Sequence, residues 1–222
     1  CSRKVLFSVE NREQNAVLGG IMTDTGAAGV IERPWKGPFD VPWQKLMMWI
    51  FIITDALLFA GLLVGYGVMR SATEVWPDQN IAFNMNYITL MTFTLITSSV
   101  TMACAVAAAF AGNKRHVTLF LWLTILGGLT FLGMQVYEWS HFIHAGARLT
   151  SNIWGVPQFS ASFFIITGFH GMHVTTGGIV LLTVAIRSAM WKSSAQGVEN
   201  AGLYWHFVDL AWVAIFPAFY LY

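Results

Sequence analysis

The residues of this sequence best placed to do chemistry are ionisable side chains inside otherwise apolar runs. Asp55 is the clearest, in MMWIFIITDALLFAGLL. Counting from Lys45, ten residues at about 1.5 Å each put it roughly 15 Å into the apolar layer. A carboxyl group there must be protonated, paired or turned toward a cavity. Two roles stay open for it, a hydrogen bond that fixes helix packing or a proton- or lipid-linked function. His170 and His173, in TGFHGMHVTTGG, are three apart and share a helix face, and His206 and Asp209 repeat that spacing in YWHFVD. These four are expected to meet Asp55 across a bundle, as an interhelical network at about 0.6 kcal/mol or more per bond.

Glu138, His141 and His144 follow one another at three-residue steps in GMQVYEWSHFIH. Carboxylate and imidazole at that spacing can hold a metal on one helix face. The stretch falls at a membrane boundary, where polar residues occur anyway, so no metal is assigned. Membrane haems need axial histidines on facing helices at matched depth. Only His170, His173 and His206 of the six histidines lie clearly inside apolar runs. No haem is assigned to this chain either.

The elements that must position these residues follow from composition. The chain has 222 residues, 56% hydrophobic and only 10% charged, with a mean hydropathy of +0.59. A soluble domain carries roughly a quarter charged residues, so most of this surface must face lipid. Five apolar runs, at 43–69, 87–111, 116–140, 159–190 and 203–222, are each long enough to cross a core about 30 Å thick. The fourth is over-long and is expected to tilt or project. The fold class is all-α, an integral membrane bundle of five transmembrane helices over 43–222. A polar tail, 1–42, precedes it.

Lys and Arg bias sets the orientation. Ten of the twelve lie on one side: Arg3, Lys4, Arg12, Arg33, Lys36, Lys45, Lys114, Arg115, Arg187 and Lys192. Arg70 and Arg148 lie on the other. The N-terminus is therefore expected in the cytoplasm and the C-terminus outside. Trp35, Trp43, Trp76, Trp139, Trp154, Trp191 and Trp205 read as interfacial markers. Gly61 and Gly65, Gly127 and Gly128, and Gly177 and Gly178 read as places where helices approach closely. A net charge of +1 gives no case for nucleic acid. Cys1 and Cys104 cannot make a disulfide framework, and Cys104, in TMACAVAAAF, is expected to be packed and inert. Cys1 in place of Met reads as truncation rather than a lipidated start.

Together these segments resemble one family. TGFHGMHV, then a short loop with Glu199, then YWHFVDLAWVAIF, are similar to the signature of haem-copper oxidase subunit III. MWIFIITDALLFAGL resembles the family helix that usually carries Glu where Asp55 stands, and LITSSVTM and FLGMQVYEW match two further segments. The resemblance covers roughly 43–222. It implies a subunit without a redox centre of its own, packed against subunits I and II, which hold haem and copper. It also implies bound phospholipid, with Asp55, His173 and Arg187 as lipid contacts, and support of proton uptake. Asp55, His170, His173, Glu199, His206 and Asp209 form the implied proton-linked or structural network. The whole complex would take electrons from cytochrome c or quinol and reduce oxygen to water with proton pumping. A multi-pass protein of the bacterial inner membrane is the expected setting.

Two departures stand out. The family's mitochondrial form has seven helices and this sequence five, and Asp for Glu shortens the carboxylate by one methylene. The competing readings are a quinol-oxidase or nitric-oxide-reductase-associated homologue, a metalloenzyme using Glu138, His141 and His144, and a proton-coupled transporter using Asp55. Transporters commonly carry internal repeats and broken helices, and neither is evident.

Overall fold

Each apolar run falls on one α-helix, the last of them continuing into a π-helical turn. The computed structural model describes residues 42–74, 76–77, 84–148, 155–190 and 194–221. Its helices are α1 (Trp43–Ser71), α2 (Met85–Phe110), α3 (Lys114–His144), α4 (Pro157–Ala189) and α5 (Ala195–Phe216). A π-helical turn, Pro217–Leu221, follows α5. All five helices are long and apolar enough to cross a membrane. The readings made for Cys1, Arg3, Lys4, Arg12, Arg33, Trp35, Lys36, Trp154, Trp191 and Lys192 fall outside the described residues.

The helix ends follow local chemistry. Ser194 accepts a hydrogen bond from the Gly197 N–H at 3.1 Å, which starts α5 at Ala195, eight residues before the apolar run begins. Between α2 and α3 the chain turns in three residues. Gly112 there has φ +72°, a left-handed conformation that a side chain disfavours.

Four helices make a closed ring: α2 packs on α3, α3 on α4, α4 on α5, and α5 back on α2. Buried positions on α2 fall at 88, 91, 95, 98, 102 and 105, alternating steps of three and four that keep one seam inward. The centre is Trp205, expected at the interface from its residue type and found almost wholly buried. Its indole N–H donates to Ser98 Oγ at 3.0 Å. The ring lies against Gly128 of α3 and Gly177 of α4, where a Cβ would come within 2.5 Å and 3.1 Å of its carbons. Gly127 gives Ser98 the same close approach, its Cβ position being 2.6 Å from that of the serine. Trp139 is likewise a packing residue, donating to Thr167 Oγ1 at 3.1 Å.

Not every small residue marks a contact. A Cβ at Gly61, Gly65 or Gly178 would meet nothing within 4 Å. Cys104 is also exposed rather than packed, because Met102 and Ala105 take the inward positions of its turn. Gly128→Ala should therefore lower the stability of the chain by about 1–3 kcal/mol through overpacking against Trp205. Gly61→Ala meets no atom of this chain and should cost far less. Thermal release of the chain from its purified complex measures both, and equal behaviour of the two variants would contradict this packing.

Helix α1 stands apart from the ring. Only 11% of its most apolar window is buried, against 56% for α5 with its π turn, so α5 is central and α1 peripheral. α1 reaches the ring through long side chains rather than close backbone approach. Its inward residues are Asp55, Phe59 and Tyr66. The space between its backbone and the ring is where the candidate site lies.

Candidate functional site between α1 and the helix ring

Asp55 and His173 sit near the midpoints of α1 and α4, so both fall near the middle of an apolar layer spanned by those helices. His173 Nε2 lies 3.1 Å from Asp55 Oδ2, and both side chains are about nine-tenths buried. The oxygen stands off the direction of a ring N–H, so the contact is an ion pair by distance rather than a formed hydrogen bond. The other ring nitrogen, Nδ1, is 2.8 Å from the Phe169 carbonyl and must donate to it. That fixes a proton on Nδ1. That leaves Nε2 as the ring atom facing the Asp55 carboxyl group.

The surroundings are apolar and aromatic. Phe59 and Phe169 pack on the His173 ring with centroids 5.5 Å and 4.6 Å away. Tyr204 donates its hydroxyl to the His173 carbonyl at 3.2 Å, which ties α5 to the same turn of α4. Phe51 of α1 lies 6.0 Å from the Tyr204 ring. At one end of this interface Lys45 Nζ donates to Glu199 Oε1 at 2.6 Å, joining the start of α1 to the start of α5. A charged clasp at one end and a buried carboxyl–imidazole contact at mid-depth thus hold α1 to the ring.

The other expected members do not converge on Asp55. His170 is wholly buried one turn from His173, but its ring packs on Phe131, Trp212 and Phe59. Neither of its nitrogens has a hydrogen-bond partner among the described residues. His206 turns to α2, with Nδ1 2.6 Å from Ser99 Oγ. Asp209 is buried on α5, and its Oδ1 has no hydrogen-bond partner among the described residues. The three-residue spacing was real, but α5 presents that face to α2 rather than to α1. Arg187 is exposed in the last turn of α4. Fourteen residues separate it from His173, about 21 Å along the helix, so one headgroup cannot be gripped by both.

The Glu138, His141 and His144 series also separates. Glu138 is buried, with Oε1 accepting from the Tyr220 hydroxyl at 3.0 Å and Oε2 from Gln135 Nε2 at 3.1 Å. His141 and His144 are exposed. Two successive steps of three residues drift around a 3.6-residue helix, and here the drift carries the imidazoles out of the core. Among the described residues no three His, Cys, Asp or Glu side chains stand together in a way that would hold a metal ion. Sequence reasoning missed Tyr204, Ser99, Gln135 and Tyr220. Their signal was present as polar groups inside apolar runs, in LITSSVTM and at the chain's end, though nothing in it named their partners.

A family model described as Cytochrome c oxidase subunit III matches residues 40–222, all five helices and every residue of this site. The chain belongs to the cytochrome c oxidase subunit III family. Cytochrome c oxidase subunit 3 of Thermostichus vulcanus is 32% identical over 208 residues, 92% of this chain and 98% of that protein. The same subunit of Bacillus sp. (strain PS3) is 32% identical over 179 residues, 79% of this chain and 84% of that one. Quinol oxidase subunit 3 of Bacillus spizizenii is 33% identical over 181 residues, 79% and 85%. This subunit III is a multi-pass membrane component of a haem-copper oxidase and works in a complex with other oxidase subunits. The five helices of the described residues all lie within the matched region.

Proposed function

We propose that this chain is the non-catalytic subunit III of a respiratory cytochrome c oxidase in a bacterial inner membrane. Its partners are subunits I and II, which hold the haem and copper, while this chain sustains proton uptake and holds phospholipid. The observation that carries the reading is the Asp55–His173 pair. It is a buried carboxyl–imidazole contact at mid-membrane depth, on the one described helix that is held away from the ring. An intramembrane ionisable pair is retained where it does something beyond packing. Arg187 at the end of α4 suits a lipid phosphate, which a guanidinium can hold with two hydrogen bonds. An acyl chain about 20 Å long, laid along α4 from Arg187, would end beside the pair.

The Lys and Arg bias supports a cytoplasmic N-terminus. A second reading, in which quinol is the electron donor, is favoured by the relative from Bacillus spizizenii, which is named a quinol oxidase subunit. Stripping this chain from the purified oxidase is the test. Haem content and initial oxygen reduction should stay near those of the intact complex, while the number of turnovers before inactivation falls. Loss of haem or of initial activity on removal would overturn the non-catalytic assignment. Arg187→Gln should lower the phospholipid that co-purifies with the complex, measured by mass spectrometry against protein. An unchanged lipid content would take Arg187 out of the lipid site.

A further inference from the structure

The polar residues of α5 that do not reach Asp55 collect where that helix meets α2. Ser99 Oγ lies 2.6 Å from His206 Nδ1, and the same hydroxyl is near the Asp209 carboxyl group. That hydroxyl carries one proton, so it cannot donate to both the imidazole and the carboxyl group. Asp209 is only 8% exposed, and nothing among the described residues donates to its Oδ1. His206 is half-buried, and with Nδ1 engaged by Ser99 its Nε2 is left for another partner. Neither α2 nor α5 has a Lys or Arg anywhere along its length, and Lys45 of α1 is already on Glu199. The cluster lies near the middle of both helices, Met85–Phe110 and the span Ala195–Tyr220. Half a hydrocarbon core is about 15 Å, so lipid headgroups are far from this depth, and acyl chains have no donor to offer.

We propose that the α2–α5 seam docks a transmembrane helix of another polypeptide in the oxidase complex, one that presents a hydrogen-bond donor to Asp209 and His206. The surface around the cluster suits a helix. Leu203, His206 and Leu210 follow one another at steps of three and four along α5, and Ile96, Ser99 and Ala103 do the same along α2. That is the spacing of a helix-packing seam. Leu210 and Ile96 are exposed apolar residues, and Ala103 is exposed and small enough for close approach. An apolar surface thus surrounds one unmet demand for a donor, and leaving that demand unmet in a dry layer is costly. The proposal rests on the oxidase reading only for the existence of a complex, and it involves neither Asp55 nor Arg187.

A photoreactive benzophenone amino acid in place of exposed Leu210, in the intact complex, provides the test. Illumination should join α5 to another polypeptide. The attached segment should carry a hydroxyl, amide or cationic side chain within one helical turn of the crosslink. Asp209→Leu should weaken retention of the chain in the complex by about three-fold for each hydrogen bond lost. Attachment to lipid alone, to a second copy of this chain, or to a segment without such a donor would overturn the proposal. Unchanged retention of Asp209→Leu would overturn it too. The crosslink leaves Ser99, His206 and Asp209 in place, so it decides the matter whether or not the Asp209 variant folds. A chain that purifies without haem-bearing subunits would instead overturn the oxidase reading, which keeps the two failures apart.

Discussion

His173→Leu should weaken attachment of α1 to the ring by about 3–5 kcal/mol, the cost of stranding a buried carboxylate. Asp55→Leu should cost less, about 1–3 kcal/mol. The asymmetry follows from the geometry at the imidazole. With Asp55 gone, the ring keeps its Nδ1 bond to the Phe169 carbonyl. With His173 gone, Asp55 Oδ2 loses the imidazole beside it and has no hydrogen-bond donor among the described residues, and the Phe59 and Phe169 rings that pack on that imidazole offer none. The double variant Asp55→Leu/His173→Leu should recover most of the loss, because two apolar side chains replace a pair that must be matched. The detergent concentration at which the chain leaves the purified complex reads all three. Additive losses in the double variant would show that the two residues do not interact.

Asp55→Asn separates the proton from the packing. An asparagine amide can still lie against Nε2, so assembly should match that of the unmodified complex. It cannot carry the carboxyl proton. Oxygen reduction should therefore begin normally while proton uptake slows or the active lifetime shortens. An Asn variant that assembles and turns over without either change would remove Asp55 from proton handling and leave it a packing residue.

How far the sequence could be read differs from one kind of feature to the next. Helix number and position were legible, because about 20 apolar residues in a row have few alternatives to a span. The start of α5 was not. Its first turns, AQGVENAG, are polar, and they become helical through the Ser194 cap and the Lys45–Glu199 clasp. Which face of each helix turns inward was also hidden. In a membrane the outward face is as apolar as the core, so no polar stripe marks it. That is why Trp205 read as interfacial while it fills the centre of the ring, and why Gly61 and Gly65 read as a contact while they meet no other helix of this chain. The Asp55 site was half legible. Its residues were named, but His206 and Asp209 needed the ring closure of α5 on α2 to show that they serve another interface.

The π turn after α5 gives the last large effect. A π turn is wider than an α turn by one residue and shifts every later side chain around the axis. The shift matters at Tyr220, whose hydroxyl reaches Glu138 Oε1 at 3.0 Å while its ring packs near Phe163 and Trp212. Gln135 Nε2 completes the arrangement on Oε2. The final turn of the described chain is thereby fastened to α3 by one buried carboxyl group. Tyr220→Phe should cost about 1–3 kcal/mol, since it leaves an oxygen of Glu138 without its donor in a dry site. Glu138→Leu should cost at least as much, because it strands the Tyr220 hydroxyl and the Gln135 amide together. Glu138→Gln should cost less than either, as its amide oxygen can still accept from one of them. Limited proteolysis of the C-terminal end in the assembled complex, with thermal release of the chain, measures the series. If Tyr220→Phe and Glu138→Leu both leave the end as resistant as before, the carboxyl group is not what fastens it, and the aromatic packing of Phe219 against Tyr66 would have to hold it instead.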